Sequence, residues 1–161
     1  MSEEDALEAA RAACLRFLAR REHSRLELRR KLVARGFAAE VVERVLTQCA
    51  EQGWQSDERF AENYLRSRKA RGFGGEKIRR ELRLRGIDPE GLEFGNEDWQ
   101  AALRLVYAKK YGEAPPASPR EWASRARFLL QRGFSAAQIQ DFLQRLGASG
   151  EFPGDDPDGS P

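Results

Sequence analysis

The sequence predicts an all-α protein, built as three tandem three-helix repeats stacked into an elongated curved array. A recurring phrase is the first reason: Leu32-Val-Ala-Arg35-Gly36-Phe37, Leu82-Arg-Leu-Arg85-Gly86-Ile87 and Leu129-Leu-Gln-Arg132-Gly133-Phe134 stand 50 and 47 residues apart. Each copy reads as a helix ending. Glycine just past the helix takes the left-handed conformation, and the next apolar residue folds back on the leucine five positions earlier. The second reason is a shared apolar stripe, in which Val42, Val45 and Leu46 align with Ile139, Phe142 and Leu143 at helical spacing. The third is composition: 34% of the 161 residues are charged, above the usual share of about 25%, so the core is thin and suits helices laid side by side.

The elements follow in order. Helices are expected over 5–21, 24–35, 38–52, 57–70, 75–85, 97–111, 119–132 and 135–146, with a short irregular turn over 88–93. Ser24 with Glu27, Ser118 with Pro119 and Glu121, and Ser135 with Gln138 fit the capping box. There the serine takes an orphan backbone N–H and the Glu or Gln reaches back. Ser56 and Asp57 open the fourth helix, and Gly53-Trp54 and Gly72-Phe73 repeat the glycine-apolar ending. In the second repeat Gly95 stands where the stripe needs Val45, which predicts a short third helix.

The expected organisation is a first repeat over 1–54 with acidic N-terminal residues, a second over 55–95, a third over 96–146, and a disordered acidic tail over 147–161. The loop Gly112–Ser118 is a flexible connection inside the third repeat. A unit of under 50 residues has little interior of its own, so neighbouring units should stack and share a core.

The formal charge of +2 conceals strong alternation. Residues 11–35 and 66–85 each carry +7 and 104–132 carry +5, separated by segments of −4 and −5 and flanked by ends of −4. Each repeat therefore has a basic middle helix. At 100° per residue Leu28 and Leu32 mark an inward stripe, matched by Ile78 and Leu82, and Arg30 and Arg80 fall about 160° away, facing out. Arg127 aligns with them in the third repeat. Arg29 and Arg79 fall at the stripe's boundary, where a long stem covers apolar surface and the guanidinium remains exposed. Arg25, Lys77 and Arg83 complete the expected partner-binding or DNA-binding set. Arg35, Arg85 and Arg132, by contrast, precede the glycines and read as cations at the negative helix end.

Catalytic chemistry is not indicated. His23 is the only histidine and reads as a helix-junction residue; Cys14 and Cys49 form no CxxC pair and read as small buried thiols. No phosphate-cradling loop or nucleophile elbow stands in a strand-turn-helix context. No metal or cofactor is expected, nor is an enzyme. Trp54, Trp99 and Trp122 read as core residues, as do Phe60 and Tyr64. No run reaches the ~18 apolar residues of a membrane span, and the acidic start MSEEDALEAA is unlike a targeting peptide, so a cytoplasmic protein is expected.

Two phrases carry a resemblance. Arg21-Glu-His-Ser-Arg-Leu-Glu-Leu-Arg-Arg-Lys-Leu32 leads to Arg35-Gly-Phe37; Asp57-Glu-Arg-Phe-Ala-Glu-Asn-Tyr-Leu-Arg-Ser-Arg68 leads to Gly74-Gly-Glu-Lys-Ile-Arg-Arg-Glu-Leu82 and Arg85-Gly-Ile87. Together they resemble the bacterial RecX family, regulators of the RecA recombinase, over roughly residues 10–146. The resemblance implies a protein that binds the RecA filament on single-stranded DNA, lodges along its groove, and inhibits its ATPase and strand exchange by blocking extension or promoting disassembly; a monomer is expected, though the sequence itself does not reveal whether the chain dimerises. Some affinity for single- or double-stranded DNA is implied too, with a setting in homologous recombination, DNA repair and the SOS response. A nucleic-acid-binding module acting by competition for DNA is the alternative. The short third helix of repeat two and the acidic tail depart from the family's common pattern.

Overall fold

The computed structural model describes residues 2–92, 94 and 98–152. Its helices are α1 (Glu3–Arg20), α2 (Arg25–Ala34), α3 (Ala39–Glu51), α4 (Asp57–Ala70), α5 (Gly75–Leu84), α6 (Trp99–Tyr111), α7 (Pro119–Arg132) and α8 (Ala136–Arg145). A 3-10 turn, Pro89–Gly91, follows α5. No strand occurs among the described residues. Gly95 and the acidic residues beyond Phe152 lie outside the described residues.

The expected helix ends form as local chemistry dictates. After α2, α5 and α7 the chain turns at Gly36 (φ 91°), Gly86 (φ 78°) and Gly133 (φ 102°). Phe37, Ile87 and Phe134 then donate their N–H to the carbonyls of Leu32, Leu82 and Leu129, at 3.3, 3.0 and 3.2 Å. Trp54 and Phe73 close α3 and α4 in the same way, on Cys49 and Arg68. Capping boxes form at Ser24–Glu27 and Ser135–Gln138, and also at Ser2–Asp5. Ser118 departs from expectation: its hydroxyl accepts from Glu121 N–H, but the Glu121 carboxylate takes the N–H of Ala117. That is one residue upstream of the cap, so the box stays open.

The described residues divide into two compact units, one of residues up to 66 with 81–92, the other of 67–80 with 94 and 98–152. Within the first, α1, α2 and α3 pack on one another. Leu28, Leu32, Val45 and Cys49 are fully buried there and Phe17 and Phe37 seal the edge. A fully buried leucine contributes roughly 1.5 to 3 kcal/mol relative to exposure, so a few such residues suffice to hold short helices together. Cys14 and Cys49 are free thiols with Sγ atoms 3.5 Å apart. The neighbouring Cys49 thiol and burial together hold the Cys14 thiol above its ordinary range.

Within the second unit α8 packs on α6 and α7, burying Leu103, Tyr107, Leu129, Ile139 and Leu143. Trp99 and Trp122 are buried there, but Trp54 is 43% exposed, so that tryptophan is not a core residue. Its backbone completes the turn after α3 while its ring stays outside. Ala148 N–H bonds the Leu143 carbonyl, and Phe152 meets the Trp122 ring edge-to-face at 5.2 Å.

Candidate functional site

In the first unit the cations of α2 sort by helical face. Leu28 and Leu32 point inward, which places Arg25 and Arg29, one turn apart, toward α3. Both guanidiniums meet one carboxylate: Arg25 Nη2 donates to Glu43 Oε2 at 3.2 Å and to Thr47 Oγ1 at 3.1 Å, and Arg29 grips Glu43 with Nε and Nη2. Arg29 and Arg25 thereby hold the Glu43 carboxyl below the usual carboxylate range. Arg30 is exposed, and its Nη1 reaches the Leu84 carbonyl at the end of α5, at 3.3 Å. Arg83 is exposed and lies 3.9 Å from Glu90.

The start of α2 is held by a buried polar junction. Arg25 N–H donates to Asp57 Oδ1 at 2.8 Å, and Gln55 bridges Asp57 and the His23 carbonyl. His23 is buried; Lys31 Nζ lies 2.8 Å from its Nε2, and Arg21 O lies 3.0 Å from its Nδ1. An ammonium only donates, so Nε2 accepts and Nδ1 carries the proton. Burial lowers the imidazole's affinity for a second proton. The junction role expected for His23 is what the structure shows.

In the second unit Lys77 is half-buried, with Nζ 4.8 Å from the centre of the Phe73 ring. Arg79 is half-buried, bonded to Glu76 at 3.1 Å and lying 4.5 Å over Phe94. Arg80 and Arg127 are exposed and make no ion pair with another described residue. The expected set is therefore chemically divided: Arg25, Arg29, Arg79 and Arg83 face carboxylates of their own chain, while Arg30, Arg80 and Arg127 present charge to solvent.

The helix-end arginines do more than complement the helix dipole. Arg35 lies 4.7 Å over Phe17, Arg85 4.8 Å over Tyr64, and Arg132 4.9 Å over Phe73. Each repeat thus ends its middle helix with a guanidinium on an aromatic face. Sequence reasoning also missed a group of cations in the second unit. Arg71, Lys109, Lys110 and Arg132 surround one cleft. Its signal in the sequence is three helix ends of one type, Lys69-Ala-Arg-Gly72, Lys109-Lys-Tyr-Gly112 and Gln131-Arg-Gly133.

No helix among the described residues is long and apolar enough to cross a membrane. The chain matches the RecX first three-helix domain over residues 10–49, the second over 56–91 and the third over 96–143. It is 46% identical over 139 residues to "Regulatory protein RecX" of Halorhodospira halophila, covering 84% of this chain and 86% of that protein. It is 40% identical to the protein of the same name in Pseudomonas entomophila, covering 84% and 90%. The crystal structure of RecX from Lactobacillus salivarius has the same fold, with a TM-score of 0.74 at 21% identity over 89% of this chain and 98% of that one. Matched in each of three three-helix domains and across most of the length of its relatives, the chain belongs to the RecX family.

Proposed function

We propose that the chain regulates the RecA recombinase, binding the RecA filament on single-stranded DNA along its groove and inhibiting ATPase and strand exchange. Membership of a family of regulatory proteins carries the reading. The outward arginines Arg30, Arg80 and Arg127 support it, because charge that the fold leaves unneutralised is available to a polyanionic or acidic partner. In this reading Arg25, Arg29 and Arg83 stand with Arg30 in the first unit, Arg25 and Arg29 held by Glu43, and Lys77 and Arg79 stand with Arg80 and Arg127 in the second. The helices that carry them, α2 and α5 of 10 residues and α7 of 14, are about 15 and 21 Å long; in this reading several such helices in tandem meet neighbouring protomers, so few molecules restrain many.

The test is RecA ATPase on single-stranded DNA against substoichiometric protein. Inhibition well below one molecule per protomer is expected. Arg30→Glu with Arg80→Glu should weaken it several-fold at unchanged helicity measured by circular dichroism; full inhibition by that variant would rule out both arginines as partner contacts. The unneutralised cations also favour a second reading, direct competition for DNA. Adding the protein to preformed filaments with excess free DNA as a trap separates the two, since competition predicts that inhibition disappears.

A further inference from the structure

Cys14 of α1 and Cys49 of α3 stand 35 residues apart in the sequence, yet their Sγ atoms lie 3.5 Å from each other and both side chains are fully buried. The chain has no other cysteine. The bland explanation is two small apolar groups filling a gap in the core. Three observations carry the pair further.

The first is separation. Disulfide sulfurs lie about 2.05 Å apart, so an approach of about 1.5 Å, by side-chain rotation with a small shift of one helix, would join them. The second is a difference between the two thiols. Hydrogen bonding to the Cys14 thiol and the charge of Arg11 pull the Cys49 thiol below its ordinary range, against the opposite push of burial. Cys14 is held above its own range by the Cys49 thiol and by burial. Cys49 is therefore the thiol that ionises, and the thiolate is the reactive form; Cys14 keeps its proton. The third is access. A cleft of about 660 Å³ between α1 and α3 has Arg11 and Gln48 in its lining. Arg11 Nη2 donates to Gln48 Oε1 there at 3.1 Å. Arg11 stands one turn before Cys14 and Gln48 directly precedes Cys49, so the cleft ends about one helical turn from the sulfurs. Parting that single hydrogen bond admits only a reagent little larger than water.

We propose that Cys14 and Cys49 form a redox couple, which a small peroxide converts to a disulfide that ties α1 to α3. The Cys49 thiolate, its proton released to solvent, attacks one oxygen of hydrogen peroxide. The O–O bond breaks, a sulfenic acid forms on Cys49, and the departing hydroxide takes a proton from solvent to become water. The Cys14 sulfur then attacks the Cys49 sulfur. The S–O bond breaks, and hydroxide leaves with the Cys14 proton as a second water. Each sulfur gives up one electron and the peroxide takes two. The new bond closes a loop that holds all of α2, constraining the unfolded chain and reinforcing the first unit. Nothing in this step depends on the recombinase as partner.

The experiment uses the full reduced chain and hydrogen peroxide near neutral pH. Remaining thiols are alkylated with N-ethylmaleimide in denaturant, and the digest is read by mass spectrometry. The expected product is an intramolecular Cys14–Cys49 disulfide, lighter by the two hydrogens lost and restored to thiols by dithiothreitol. Hydrogen exchange in α1 and α3 should slow several-fold on oxidation. With Cys14→Ala, Cys49 should stop at the sulfenic acid and be captured by dimedone; with Cys49→Ala, Cys14 should take up dimedone roughly tenfold more slowly. Should either variant unfold, the products of the wild type still decide. A disulfide between two chains or a sulfinic acid as the main product would overturn the couple, as would thiols that react only in urea. Equal dimedone uptake by the two variants would overturn the order of attack, and unchanged exchange would overturn the tie between the helices.

Discussion

His23 is the residue whose behaviour the sequence least betrays and the structure most constrains. Buried against Lys31 and Arg21, it is neutral, with its proton affinity lowered from the ordinary value of 6.5. The unfolded chain therefore binds more protons than the folded one once the pH drops below about 6.5. The stabilising contribution is complete above that value and is lost as the pH falls toward the folded pKa. Thermal melts between pH 5 and 8 should show the wild type losing stability more steeply than His23→Gln, which cannot titrate; identical profiles would place the junction's pH sensitivity elsewhere. Glu27 acts lower on the scale. Burial alone would raise its pKa, but hydrogen bonds from Arg21 and the Ser24 N–H outweigh that and hold it below 4.5. Its contribution is present above pH 4.5 and lost as pH falls through the lowered value.

At the scale of elements, helix starts and stops were legible because their causes are local. A serine three residues before a Glu or Gln, and a glycine before an apolar residue, act within one turn of chain, and boundaries read from them fall within two residues of those observed. Ser24→Ala should accordingly cost about 1 kcal/mol in urea unfolding. The glycine endings differ in what surrounds them. A Cβ at Gly36 would meet nothing within 4 Å, whereas one at Gly133 would lie 2.3 Å from Lys77 Cβ. Gly36→Ala should cost roughly 1 kcal/mol for the left-handed backbone alone. Gly133→Ala adds an overlap with α5 and should cost about 2 to 4 kcal/mol, readable by the same measurement. The exposed Trp54, the guanidiniums stacked on rings and the cleft were not legible, because each depends on which residues from distant segments become neighbours. Helical spacing gives a side chain's direction, but not what awaits it.

At the scale of the molecule, the repeats seen in the sequence and the compact units seen in the structure do not share boundaries. The expected second repeat is divided between the two units, with α5 giving Ile78 to one and Leu82 to the other, both fully buried. The sequence period reports inheritance of a three-helix pattern, while compactness reports which side chains gather around a core. Truncating Ile78 to alanine should cost about 2 to 5 kcal/mol. Hydrogen exchange followed by mass spectrometry should then quicken chiefly in the second unit, whereas Val45→Ala should quicken it chiefly in α1 to α3; the reverse pattern would contradict this division. The three-helix domains and their regulatory family were legible in the two long phrases and the glycine endings. The sorting of arginines into paired and unpaired was not, since Glu43 is 14 residues from Arg29 and finds it only in the folded chain.

Two main-chain hydrogen bonds join the turn after α7 to the turn before α5: Gly74 N–H to the Arg132 carbonyl at 2.8 Å and Glu76 N–H to the Gly133 carbonyl at 2.9 Å. Any Cβ at Gly74 would strike the Gly133 backbone within 2.5 Å, so these strands of chain touch without side chains between them. The weld fixes the first turn of α5, with Lys77 on it, to the end of α7, so the backbone of these two segments shares one rigid joint.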